Sequence, residues 1–213
     1  MKHLHALLLF LAGCTLLIAC SKEMSHGPGF PTCDYAPYTT NSSFSYIDVN
    51  KTQDTISYTL TVSGDTTIKG TTYKIVGDDS VFFCSSCKDG NYTQIASILT
   101  FQGYKADSLQ LTYLKETAPM GSSWSDTVTV SNGTLTTKAI LQHTITQKGV
   151  TKTVNGKNYL DVIAVKLDAS AIVLNNPVSI GTISTSYYAK GIGLIEADQE
   201  DDTIKLVSYI LKP

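Results

Sequence analysis

Arginine is absent from this 213-residue chain: all sixteen basic residues are Lys, set against eighteen acids. The chain therefore lacks the planar two-pronged donor that reads phosphate or guanine edges, and a net charge of −2 offers no field to gather a polyanion. Nucleic acid is excluded as a partner. Histidine is sparse too, and past residue 20 only His26 and His143 remain, which is too few to complete a zinc site with the cysteines. No Gly-x-Ser-x-Gly elbow exposes a nucleophile. Metal and cofactor are not expected, and neither is an enzyme. The mixed Ala/Glu/Lys pattern of exposed helices is missing as well, and charged residues make up only 16% of the chain.

Thr, Ser, Val, Ile and Tyr dominate instead, which is a strand-forming composition. From Thr55 the pattern alternates, with Ile56, Tyr58, Leu60 and Val62 on one face and Ser57, Thr59, Thr61 and Ser63 on the other. Gly64-Asp65, Lys69-Gly70, Asp89-Gly90, Asn132-Gly133 and Asn155-Gly156 interrupt such runs and predict turns. The predicted strands are 44–50, 55–63, 66–69, 71–76, 79–84, 91–101, 107–115, 126–131, 134–147, 150–154, 158–168, 183–189, 192–197 and 203–211. The segments 67–73 and 153–159 echo one another as strand, two-residue turn, strand. The fold class is all-β, a curved antiparallel meander sheet or half-barrel with few or no helices after the signal peptide. The apolar stretch 169–181 is expected to be a long connection over one end of the sheet, and Trp124 a core plug.

The first twenty residues have a polar start at Lys2, His3 and His5, an apolar core Leu7-Leu8-Leu9-Phe10-Leu11, and then Leu17-Ile18-Ala19-Cys20. They resemble a bacterial lipoprotein signal ending in a lipobox, with an ordinary secretory signal as the alternative. The apolar core is too short to span a bilayer. The resemblance implies cleavage before Cys20, attachment of palmitate-type chains to its thiol and new amino terminus, and, because Ser21 follows, delivery to the outer membrane. Several acyl chains on one cysteine make a lasting tether. The expected division is a signal peptide (1–19), a lipidated flexible tether rich in Gly and Pro (20–43) and a single β-rich domain (44–213).

The segments Gly64–Tyr73, Gly121-Ser122-Ser123-Trp124, Val154–Val162 and Tyr187–Ile195 resemble those of uncharacterised Bacteroidota outer-membrane lipoproteins with a curved antiparallel β-domain. The resemblance implies architecture only and transfers no functional residue.

Cys14 leaves with the signal and Cys20 is the lipid attachment site, so Cys33, Cys84 and Cys87 remain in an oxidising compartment. One disulfide is expected, either Cys84–Cys87 or Cys33 to this hairpin. In an extended strand Cys84 and Cys87 stand roughly 10 Å apart, so pairing them requires a turn at Ser85-Ser86. Redox catalysis would need a helix after Cys87, and none is predicted. His143 is read as an exposed or hydrogen-bonded strand residue rather than a general base. Asp198, Glu200, Asp201 and Asp202 are read as a solvated turn, with weak Ca²⁺ binding as the functional alternative. Six Asp-Ser/Thr-apolar tripeptides, such as Asp54-Thr55-Ile56 and Asp126-Thr127-Val128, are read as turn caps that also resemble O-glycosylation acceptors.

The function expected from these features is a non-enzymatic binding or carrier module for a lipid or other hydrophobic ligand, held at the membrane by its anchor and monomeric. The alternative is a structural or surface-interaction lipoprotein that serves an envelope protein complex.

Overall fold

The protein, described by a computed structural model over residues 32–78, 82–101, 104–134 and 136–213, contains twelve strands and, among these residues, no helix. They are β1 (Ser43–Asn50), β2 (Thr55–Ile68), β3 (Thr71–Gly77), β4 (Phe82–Lys88), β5 (Asn91–Phe101), β6 (Tyr104–Lys115), β7 (Ser123–Ser131), β8 (Thr136–Val154), β9 (Lys157–Val173), β10 (Asn176–Ala189), β11 (Gly193–Gln199) and β12 (Asp202–Ile210). Each pairs antiparallel with the next, and β1 also pairs with β12, so the expected curved meander bends far enough to close into a barrel. Among the described residues every strand then has a neighbour on both sides, the arrangement that protects sheet edges from aggregation.

The bending is located at bulges, and these explain where the predicted elements differ. Segments 55–63 and 66–69 form one strand, because Gly64 at φ 151° carries a register shift between Val62 and Gly64 rather than a turn. Segments 134–147 and 150–154 likewise merge into β8 through three register shifts against β9. A bulge interrupts the period of two just as a turn does, but it keeps the chain in the sheet and increases its twist. The tight turns are elsewhere. Lys69-Gly70, Asp89-Gly90 and Asn155-Gly156 all take positive φ at both central positions, the geometry that matches strand twist in two-residue hairpins. Leu174-Asn175 does the same, so the apolar stretch expected to be a long connection is instead the end of β9, a two-residue turn and the start of β10. Of the Asp tripeptides expected at turns, those at Asp65, Asp107 and Asp126 lie inside strands.

An up-and-down meander puts alternate turns at opposite ends. One end, the base, carries the β2–β3, β4–β5, β6–β7, β8–β9 and β10–β11 connections; the other, the mouth, carries the rest. The segment before β1 closes the base. Tyr35 donates its N–H to the Tyr92 hydroxyl at 2.9 Å, Gly191 N–H donates to Asp34 O at 2.8 Å, and Tyr38 meets Phe44 and Phe83 edge-on. Gly193 is called for by its backbone, at φ 106°, and not by crowding, since a Cβ there would make ordinary contact with Tyr35 O at 3.6 Å. Residues 32–42, at the end of the segment expected to be a tether, are thus hydrogen-bonded to the barrel. The far half of the β8–β9 hairpin leans across the same end. Asn155 Nδ2 donates to Leu206 O, Lys157 Nζ donates to Val207 O, and Lys152 pairs with Glu196 at 2.5 Å. These side chains supply donors where β11 and β12 share only three register pairs.

Candidate functional site

The barrel interior is graded by residue size. The base half is filled by large side chains: Tyr92, Phe44, Leu114 and Ile145 are fully buried, and Tyr46 stacks on Tyr58 at 5.7 Å. Toward the mouth the inward residues become small. Register pairs align Val128, Ala139 and Ala171 in one layer across β7, β8 and β9, then Asp126, Leu141 and Ala169, then Trp124, His143 and Leu167. Val128, Ala139, Ala171, Leu141 and Ala169 of the first two layers, with Val130, Ile180 and Ile183, border an apolar cavity of about 230 Å³. Below it lies a second cavity of about 150 Å³, bordered by Leu109, Leu111 and Leu167 and by the polar side chains of Gln94, Tyr113, His143, Ser184, Ser186 and Tyr188.

His143 is neither exposed nor paired through Nδ1, contrary to expectation. It is 3% exposed, its ring lies flat on Trp124 at 5.5 Å and 5°, and Nδ1 has no hydrogen-bond partner. Burial lowers its pKa from 6.5 to about 4, so the imidazole is neutral at physiological pH. Trp124 is part of this wall and donates its indole N–H to Thr112 O. Burial likewise drives the phenols of Tyr113 and Tyr46 well above their usual range, and that of Tyr188 to about 12. No side chain described around either cavity is charged at pH 7.

One seam of the barrel is held differently from the others. Among the described residues β6 and β7 share a single register pair, Lys105 with Ser131, near the mouth. Below it, side chains of β7 take over the bonding: Asp126 Oδ2 accepts the Thr112 N–H at 3.3 Å and Trp124 donates to the carbonyl of the same residue. The seam lies beside both cavities, with Leu109, Leu111 and Tyr104 on one side and Val128 and Val130 on the other.

The remaining candidates are dispersed. Cys33 pairs with Cys87, and Cys84 is free and buried. The Cys84–Cys87 alternative fails for the reason of spacing: Ser85-Ser86 is not a turn but the middle of β4, paired with β5. The disulfide sits at the base beside Glu116, whose carboxylate accepts from Thr32 N–H, Cys33 N–H and the Tyr92 hydroxyl. Of the acidic group, Asp201 pairs with Lys51 at 2.7 Å in exposed mouth turns, while burial, then Asp48 and then Asp201 raise the pKa of Asp202. Among the described residues no group of three or more His, Cys, Asp or Glu could hold a metal. Cys20, the lipid attachment site expected from the lipobox, and His26 lie outside the described residues.

No protein-family model matches the chain, and no curated protein matches it. Among solved structures, it is similar to a candidate exported protein of Bacteroides fragilis with a YmcC-like fold (TM-score 0.48, 10% identity, covering 82% of this chain and 97% of that one). It is also similar to a candidate lipoprotein of Parabacteroides distasonis (0.44, 10%, 83% and 98%) and to the hypothetical lipoprotein YmcC of Escherichia coli (0.41, 11%, 86% and 90%). At these values the likenesses place the chain in no family.

Proposed function

We propose that this chain is a lipoprotein anchored through Cys20 at the outer membrane, whose barrel binds a small hydrophobic ligand without transforming it. The observation that carries this reading is the unfilled apolar half of the barrel. A small closed barrel can be filled by its own side chains, and this one is filled at the base. At the mouth Ala139, Ala169 and Ala171 stand side by side on the β8–β9 wall, where larger residues would fill the space. An engineered apolar cavity of 150 Å³ stays dry and takes up benzene, so 230 Å³ of apolar space is large enough for a longer hydrocarbon. The segment from Thr32 to β1 docks at the base, which leaves the mouth at the other end of the barrel.

The test uses residues 21–213, which contain every strand and the docked segment. Native mass spectrometry reads any co-purified lipid, and the hydrophobic dye N-phenyl-1-naphthylamine, which brightens in apolar surroundings, reads the cavity. Binding is expected in the wild type and is expected to fall at least tenfold in A139F/A169F, whose rings fill the space. A wild type that neither carries lipid nor binds dye, or binding untouched by the filled cavity, refutes the proposal.

The second reading, a surface-interaction module, draws on another observation: Leu174 is 91% exposed at the β9–β10 tip, between half-exposed Val173 and Val178. L174K separates the two readings, because it disrupts this apolar tip and leaves the cavity intact.

A further inference from the structure

The two cavities lie in sequence along the same strands, and the deeper one adds polar side chains to its apolar walls, among them His143, whose buried Nδ1 has no partner. We propose that the ligand is an uncharged single-chain amphiphile that enters tail last, with a hydroxyl head group bonded to His143 Nδ1 and its hydrocarbon chain in the mouth cavity. This inference rests on the binding function proposed above and specifies the ligand.

Three features point to a hydroxyl. Nδ1 is buried and unpartnered on a side chain that borders the inner cavity, while its neighbours are already engaged: Tyr113 with Ser85 at 3.2 Å, Tyr188 with Ser186, and the Trp124 indole with Thr112 O. A neutral imidazole presents either a lone pair or an N–H at Nδ1, and a hydroxyl answers both because it donates and accepts. Finally, no charged side chain is described around either cavity, so a carboxylate or phosphate head would be buried without a counter-charge. The depressed pKa of His143 agrees, since the imidazole supplies no cation at neutral pH. Chain length follows from volume: if six ring carbons occupy 150 Å³, then 230 Å³ accommodates about nine carbons.

The probes are nonan-1-ol, nonane and nonanoate, competed against N-phenyl-1-naphthylamine on residues 21–213 at pH 7.5. Trp124, the single tryptophan and the ring stacked on His143, gives an independent fluorescence readout. Nonan-1-ol is expected to bind at least tenfold more tightly than nonane or nonanoate. In H143F, which keeps a ring against Trp124 and removes the nitrogen, the alcohol should fall to the level of nonane while nonane stays within twofold. Equal binding of alcohol and alkane, or tightest binding by nonanoate, overturns the head-group assignment and leaves the binding function standing. Dye binding that none of the three probes displaces overturns the assignment too, whereas a wild type that binds no dye removes the function beneath it. Should H143F not fold, the comparison of the three probes on the wild type decides alone.

Discussion

Replacing Cys33 by Ser should cost this barrel about 4 kcal/mol, and the magnitude follows from the loop that the disulfide closes. Cys33 and Cys87 are 54 residues apart. Cross-linking a loop of that length removes about 14 cal/mol/K of unfolded-chain entropy, or about 4 kcal/mol at 25 °C. Native-state contacts at the base add little to the loss, because Glu116 still accepts the N–H groups of residues 32 and 33 and Tyr35 still reaches the Tyr92 hydroxyl. For a domain of this size each kcal/mol moves the midpoint by about 2–4 °C, so Tm should fall by about 8–16 °C. Thermal unfolding of residues 21–213 followed by far-ultraviolet circular dichroism measures this, and reductant on the wild type should reproduce the shift. C84A is the control: it trims one buried, unpaired thiol and should cost about 1 kcal/mol. A C33S barrel within about 1 kcal/mol of the wild type would mean that the docking of residues 32–42 is not part of the native structure.

Acid should find His143. Its pKa is 6.5 in the unfolded chain and about 4 in the fold, so the unfolded state gains its proton first. The stability is present above pH 6.5 and is lost as pH falls toward 4, by about 3 kcal/mol. Urea titrations at several pH values should show this excess loss in the wild type and not in H143F, and parallel curves would refute it. D126A should loosen the β6–β7 seam by removing the acceptor of the Thr112 amide, at a cost of about 1–2 kcal/mol. Amide hydrogen exchange at Thr112 should then quicken at least tenfold while Ile145 in β8 is unchanged; equal protection in mutant and wild type would show that the carboxylate does not hold the seam.

Local chemistry made much of the fold legible. Alternation in 55–63 and the Lys69-Gly70, Asp89-Gly90 and Asn155-Gly156 pairs each specify a backbone geometry that tertiary packing had no reason to override, and the strands and hairpins stand where these predict. Bulges were not legible, because Gly64 reads as a turn until the partner strand is known. The turn at Leu174-Asn175 hid for a related reason: Leu seldom takes positive φ, and Asn175-Asn176-Pro177 next to it advertises a loop. The candidate site was hardly legible at all. His143 stands among Gln142, Thr144 and Thr146, and its cross-strand neighbours Trp124 and Leu167 follow from register, which only the closed sheet fixes. The alternation of Thr137, Ala139, Leu141, His143 and Ile145 was the available signal, since it puts the histidine on the apolar face of β8.

The position of the cavity follows from how a wide barrel is filled. Eight strands enclose an interior that side chains alone can occupy, and twelve enclose more, so some of the filling must come from off the sheet. At the base it does: Tyr35 and Tyr38 arrive on the segment before β1, and Val154 and Tyr159 arrive on the bent end of the β8–β9 hairpin. At the mouth none of the described connections brings in an equivalent segment. The β9–β10 turn is two residues long, and the β1–β2 and β11–β12 turns bond to one another through Lys51 and Asp201 rather than folding inward. Filling would then have to come from the strands, and there β8 and β9 present alanine. Tyrosine at those positions would have closed the space at little cost to strand propensity. Small residues at an end that receives no plug from the described residues are what a barrel needs if that end is to admit something other than itself.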